Sequence, residues 1–423
     1  LMVVGNYLER TLKLLEIGQV HVIFNGGTGT ISEFGMAWGL ARLYFGHHKP
    51  LILYGDFWQE IIFAFTKGMY IRPEERQVFK IVNKPEQVMT AIADFKTFDL
   101  ITIGDSTIDT FIRVHDASVE CDVNKENCKI CLPYGSKIPV DSIAHSVAGN
   151  ASNVAVGTAK LGLNTAIFTN LGDDDQGKTI LQKLKEAKVS ADYIQINEGK
   201  KSNLSVVLTF QGERTIFVYH QDWYYQLPDL GNAKWVYLTS MAETFTNSSI
   251  MDEVCHYIGK SKAKLVFGPG TYQLKADIKR YPKVLEMCEL LIVNKEEAKK
   301  ILNIQPIDIV SEKDLLSKLL LLGPKNVVIT DGAEGSYGTD GNNNYKLGVF
   351  PTQVVEKTGA GDAYSSGMVS ALFYGLPFAE AMVWGTINSS HEIQEAGTQK
   401  GIMTKDELER HRSAVPELKA SSF

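Results

Sequence analysis

"EKTGAGDAYSSG" occupies residues 356–367. A turn needs one glycine, but here Gly359, Ala360 and Gly361 stand together, Asp362 follows at once, and "AYSSGMVSALFYG" continues with helical spacing. The small residues therefore open a helix. Its first N–H groups have no partner within the helix and converge on an anion, with the dipole adding to the attraction. Small side chains let that anion come close. Asp362 beside such a pocket stays ionised and can take a proton. A base next to a cradle for a phosphoryl group is what phosphoryl transfer requires, since that reaction rests on positioning and charge neutralisation. The plain alternative is a helix start with an acid in its first turn.

A second small-residue opening lies upstream. In "AGNASNVAVGTAKLG" (148–162), Gly149 allows close approach while Asn150 and Asn153 can bond hydroxyls; "GDSTID" carries Asp105 and Asp109 at the end of a strand. Amides and carboxylates of this kind suit a polyol, although helix capping and an Asx turn would use the same residues. No G-x-x-x-x-G-K-[ST] occurs, so the nucleotide loop is not a P-loop.

Around these motifs, strand-like runs recur: "DLITIG", "TAIFTNLG", "WVYLTS", "AKLVFG", "LLIVN" and "NVVITDG". Helical stretches such as 175–188 and 295–302 separate them, predicting a mostly parallel sheet with helices on both faces and ligands at the carboxyl ends of the strands. "NLSVVLTFQGERTIFVYH" reads as a hairpin turning at Gln211–Glu213. With the extended "DTFIRV" and "KICLPYGSKIPVD" it would form a small projecting sheet, a lid. The aromatics at 219–225 read as lid packing, with Tyr219 or His220 near substrate.

The chain of 423 residues calls for two or three domains, and "FKTF" near residue 96 marks a boundary between 1–95 and 96–423. The first region reads as β/α: "VHVIF", then "NGGTGTISEFGMAWGLARLYF" with a helix from Ser32 to Phe45, then "KPLILYG". "GGTGT" is either a phosphate cradle or a tight strand-to-helix turn. The 44% hydrophobic and 22% charged composition is that of a globular protein, and a formal net charge of −6 without a basic run argues against nucleic acid or anionic membrane as partner. No apolar run reaches the roughly 18 residues of a membrane span, and no signal peptide is read at Leu1. Five cysteines suit a reducing cytoplasm, the expected location. Cys121, Cys128 and Cys131 are spaced C-x6-C-x2-C, which a zinc or redox cluster could use; ordinary lid cysteines are the expectation.

Taken together, the two signatures resemble those of the ribokinase/PfkB family of carbohydrate and nucleoside kinases, over residues 98 to about 412. Ala148-Gly149 stands where the family usually has Gly-Gly, and Glu356-Lys357-Thr358 replaces its usual lead-in to the second loop. The resemblance implies a ribokinase-like α/β three-layer sandwich with a β-sheet lid, and an ATP-dependent, Mg²⁺-requiring transfer to a small-molecule sugar or nucleoside, with room for a monovalent cation. Asp362 would be the base and Gly359, Ala360 and Gly361 the anion hole. Asp109, Gly149, Asn150 and Asn153 would hold the acceptor, Asp105 more weakly. Asn294 and Glu297 of "NKEEA" would organise Mg²⁺ and phosphate; Thr330, Gly332 and Gly335 of "TDGAEGS", with Thr358, would line ATP. Asn388 would face adenine. A homodimer paired through lids is also implied. Residues 1 to 93 resemble the later part of the lonely-guy/lysine-decarboxylase-like phosphoribohydrolases, a partial Rossmann-like α/β segment. Gly26, Gly27, Thr28, Gly29, Thr30 and Glu33 match the family loop, Asn25 replaces its proline, and Arg10 stands where its arginine is expected; Glu33 and Arg10 would act on an N-glycosidic bond. Two other readings stay open: a nucleotide-binding fusion protein with impaired catalysis, and a bifunctional protein of nucleoside or ribose-phosphate salvage.

Overall fold

The computed structural model describes residues 4–43, 49–95, 97–122, 128–211, 213–305, 307–395 and 397–423. The chain divides into two compact units, 1–97 and 98–423.

In the first unit, three parallel strands, His21–Ile23, Leu51–Tyr54 and Phe79–Val82, lie side by side in chain order. Phe34, Leu51, Leu53 and Trp58 form its core with almost no exposure. The glycine loop leads into a helix at Thr28–Leu43. That helix begins four residues before the expected Ser32, so Thr28, Gly29 and Thr30 form its first turn; Phe45, the expected end, lies outside the described residues.

The second unit is built on a ten-stranded sheet. In spatial order its strands are Ser190–Asn197, Thr165–Gly172, Thr97–Ile103, Asn232–Leu238, Lys264–Phe267, Cys288–Asn294, Asn326–Thr330, Ser336–Thr339, Asn344–Leu347 and Ser421–Ser422. Pairing is parallel from Asn232–Leu238 through Asn326–Thr330 and antiparallel beyond. The central strands are near-continuous apolar runs because both faces are covered. One apolar cluster gathers Phe168, Val236, Phe267 and Leu291; another, on strand residues of opposite parity, gathers Tyr237, Val266, Leu290 and Val328 with Met368 and Trp384 of two helices. Alternation along each strand thus builds the three layers.

A four-stranded sheet forms the lid, in the order Glu213–Tyr219, Asn203–Phe210, Thr107–Arg113, Ser142–Ala148. The hairpin and the "DTFIRV" strand are as expected; Gly212 of the turn lies outside the described residues. The fourth strand differs. It is "SIAHSVA", pairing antiparallel from Thr107↔Ala148 to Arg113↔Ser142, whereas "KICLPYGSKIPVD" puts only Cys128–Cys131 into a strand, in a separate two-stranded ladder with Ser118–Cys121. Cys121 and Cys128 face each other across that ladder and form a disulfide, in place of the expected ordinary thiols, while Cys131 is free. No helix of the described residues is long and apolar enough to cross a membrane.

Candidate active site

The two small-residue motifs, 209 residues apart between Asn153 and Asp362, meet in one cleft of 480 Å³. Gly149 caps the helix Asn150–Lys160 at φ 94°, a conformation glycine adopts without strain. A Cβ there would lie 2.5 Å from the Asp105 carbonyl oxygen, so this helix starts directly against the backbone that follows the strand Thr97–Ile103. Gly359, at φ 91°, caps the helix Ala360–Phe373, and a Cβ on it would stand 3.0 Å from Thr398 Cα. Gly361 has nothing within 4 Å of its missing Cβ, which leaves its backbone open to a ligand. The Ala360 N–H turns back toward Lys357 O at a long 3.4 Å.

Asp362 is 8% exposed at the floor of the cleft. Asn153 Nδ2 donates to its Oδ2 at 2.8 Å, and Gln399 Nε2 donates to Asn153 Oδ1 at 2.9 Å, fixing which end of the amide faces the carboxylate. Burial pushes the Asp362 carboxyl up to about 6 against the pull of the Asn153 and Asn150 amides, with the charges of Glu297 and Asp109 adding to the rise. Asp109 is raised to about 6, again by burial, offset by the Ser205 hydroxyl. At Asp362 amide donors, more than the expected positive field, oppose the cost of burial.

Asp105 also lines the cleft but is committed elsewhere. It accepts from Tyr225 Oη at 2.8 Å and from the Ala242 N–H at 2.8 Å, and burial raises it to about 7. His220 also lines the cleft, its Nδ1 3.9 Å from Asp105 Oδ2; Tyr219 is exposed on the lid, and Trp223 and Tyr225 pack into the core beside the central sheet instead of into the lid as expected.

On the other side, Asn294 and Glu297 close a reciprocal cap: Asn294 Oδ1 accepts from the Glu297 N–H at 2.8 Å and Glu297 Oε2 accepts from the Asn294 N–H at 2.9 Å. This capping box holds both residues at the cleft wall, where burial raises the Glu297 carboxyl. Thr330 and Thr358 line the same cleft. Gly332 and Gly335 belong to the turn after Thr330, and Gly335, at φ 93°, is required because a Cβ would overlap Leu347 O. Asn388 is a correction: fully buried, it donates to Ala363 O and Ser366 Oγ and accepts from the Met403 N–H. Its amide is spent on locking helices together and has nothing left for adenine.

Three residues of the cleft region carry no local signal that the sequence reading used. Gln399 orients Asn153, Thr398 ties the loop to Val147 O at 3.1 Å, and Arg214 enters the cleft wall from the lid. The short polar "GTQKG" was the available cue for the first two.

In the first unit, Arg10 Nη2 meets Glu33 Oε1 at 2.7 Å and Tyr7 Oη donates to Gly29 O at 3.0 Å, so the arginine and glutamate singled out by resemblance come together beside the glycine loop.

A family model described as pfkB family carbohydrate kinase matches residues 111–405. The chain belongs to this family. Residues 1–92 match the family model described as "Possible lysine decarboxylase". This PfkB-family chain is 23% identical over 317 residues to an ATP-dependent 6-phosphofructokinase of Thermoanaerobacterium thermosaccharolyticum, covering 72% of this chain and 91% of that one. It is 26% identical over 264 residues to a ribokinase of Staphylococcus aureus, covering 62% and 86%. Among solved structures, Arabidopsis thaliana ribokinase complexed with ribose and ATP aligns at TM-score 0.62 and 19% identity over 74% of this chain and 98% of that one. A Methanocaldococcus jannaschii nucleoside kinase aligns at TM-score 0.60 and 20% identity, covering 75% and 98%. These likenesses establish the ribokinase-like fold.

One buried acid of this PfkB unit stands behind the cleft. Glu392 is fully buried, and both carboxylate oxygens lack a hydrogen bond; the Gly401 and Ile402 N–H groups lie on its side without closing one of good geometry. Burial raises it to about 7, with Lys160 pulling the other way. Since its folded value exceeds its unfolded one, its favourable contribution is complete below about 4.5 and is lost as pH rises through about 7. Glu392→Gln is therefore expected to stabilise the protein by about 1–3 kcal/mol at pH 8 and by almost nothing near pH 4.5, measured by urea unfolding at both pH values.

Proposed function

We propose that the chain transfers the terminal phosphoryl group of ATP to a hydroxyl of a sugar or nucleoside. The observation that carries this reading is the single cleft into which Asn153 and Asp362 project in hydrogen-bond contact. Asp362 takes the proton from the attacking hydroxyl, and the N–H groups of Gly359–Gly361 receive the transferring oxygens. Asp109 and Asn150 orient the acceptor's other hydroxyls, and Thr330 and Thr358 flank the nucleotide.

Among the described residues no group of three or more His, Cys, Asp or Glu could hold a metal ion. Mg²⁺ is commonly carried on phosphates and waters with one or two carboxylates. The Glu297 carboxylate, half-buried at the cleft wall and raising Asp362 by its charge, is the fitting partner. Bound there, the ion would neutralise phosphate charge.

The test is an acceptor screen with purified protein, Mg·ATP and coupled detection of ADP, over pentoses, hexoses, sugar phosphates and nucleosides. Turnover with at least one acceptor is expected. ATP binding without turnover across the panel would favour a nucleotide-binding protein that has lost catalysis. For the responsive acceptor, kcat/KM is expected to hold above pH 7 and to fall about tenfold per unit well below pH 6, because protonated Asp362, raised to about 6, cannot act as base. A profile flat to pH 5 would remove Asp362 from that role.

A further inference from the structure

Glu356 and Lys357, the two residues that depart from the family lead-in, meet two neighbours at the tip of the lid. Arg214 Nη1 lies 3.7 Å from Glu356 Oε1, and Glu213 Oε1 lies 3.8 Å from Lys357 Nζ. The sequence thus sets Glu213-Arg214 of the lid strand against Glu356-Lys357 of the anion loop, with charges matched in both places. The same Glu356 oxygen accepts from the Thr358 N–H at 2.9 Å and from Thr358 Oγ1 at 2.7 Å. Thr358 immediately precedes the glycines, and Arg214 lines the cleft wall. One carboxylate oxygen therefore joins the lid to the backbone from which the anion hole is made.

We infer that Glu356 is a positioning residue that couples closure of the lid to the shape of the phosphoryl-binding loop, with Arg214 as its partner on the lid. This inference rests on the kinase reading for its consequence in turnover, but the coupling itself is a property of the protein without substrate. The two pairs are unequal. Glu213 and Lys357 are 86% and 60% exposed, and an ion pair so wet is worth little. Glu356 is 12% exposed and Arg214 37%, so this pair is less screened and is already shaped by the Thr358 bonds. With the lid down, Arg214 draws on the oxygen that holds Thr358; with the lid up, that oxygen answers to Thr358 alone. Acceptor occupancy under the lid and loop geometry are linked in this way, through a residue that touches neither the acceptor nor the transferring group.

The experiment compares wild type, Arg214→Glu, Arg214→Lys and Glu356→Gln, and the double variant Arg214→Glu/Glu356→Gln. Arg214→Glu sets like charges together. Amide hydrogen exchange of the substrate-free protein is expected to rise in both lid-hairpin strands and around Thr358, with the central sheet unchanged; Arg214→Lys should restore protection. The double variant, which removes the repulsion, should exchange less than Arg214→Glu alone. In the responsive acceptor assay, Arg214→Glu is expected to raise acceptor KM about tenfold, equivalent to about 1.4 kcal/mol, with ATP KM within about twofold. Exchange confined to the hairpin, with Thr358 unmoved, would overturn the coupling, as would additive effects in the double variant. If no acceptor responds at all, the kinase reading fails while the exchange result still decides the coupling.

Discussion

Asp362→Asn is expected to lower kcat by about 10²–10⁴-fold, the range for losing a positioned general base. Nucleotide affinity should stay within about threefold, since the N–H groups of the glycine loop are untouched. Asparagine keeps the shape of the side chain, and its amide oxygen can still accept from Asn153 Nδ2, which now stands 2.8 Å from Asp362 Oδ2. It also removes a buried charge, so the variant should melt no lower than wild type. The change therefore separates basicity from architecture. Calorimetric titration with a non-hydrolysable ATP analogue and coupled ADP release make the measurement; wild-type turnover in the variant would end the proposed role.

A large loss of stability is expected at Gly149→Ala. Two costs coincide there: a positive φ of 94°, and a Cβ placed 2.5 Å from Asp105 O and 2.9 Å from Ser106 Cα. Both neighbours are backbone at the end of a buried strand, so no side chain can swing aside. Strain and overpacking together should cost about 3–5 kcal/mol. A control isolates the second term. Gly135 has φ 74° but nothing within 4 Å, so Gly135→Ala should lose only the conformational part, about 1–2 kcal/mol. Equal melting temperatures for the two variants would mean that the helix Asn150–Lys160 can back away from Asp105, contrary to the packing seen.

Much of this architecture was readable because the sequence encodes it locally. The buried strands are apolar runs bounded by polar ends, and both small-residue signatures mark helix starts at Asn150 and Ala360. What escaped depends on distance along the chain. Ser142–Ala148 is exposed over its first four residues and shows no burial alternation, so only pairing with Thr107–Arg113 makes it a strand. Gln399 acts on Asn153 across 246 positions. Asn388 looked like a polar group available to a ligand; a helix position cannot say that its face is turned inward until its neighbour is packed. The cysteine spacing was visible, but which two of three would join was a matter of cross-strand register.

The run of small residues continues past Asp362 for a reason of its own. A Cβ on Gly367 would stand 2.7 Å from Trp384 O, and one on Gly385 would stand 2.9 Å from Tyr364 O. The helix that carries Asp362 is thus seated backbone to backbone on the helix Phe378–Glu392, and Asn388 bolts the seam through Ala363 O and Ser366 Oγ. A joint that tight has no slack. In the proposed reaction the anvil is therefore fixed when the chain folds, and the travel of a catalytic cycle would fall to the hammer, the lid sheet.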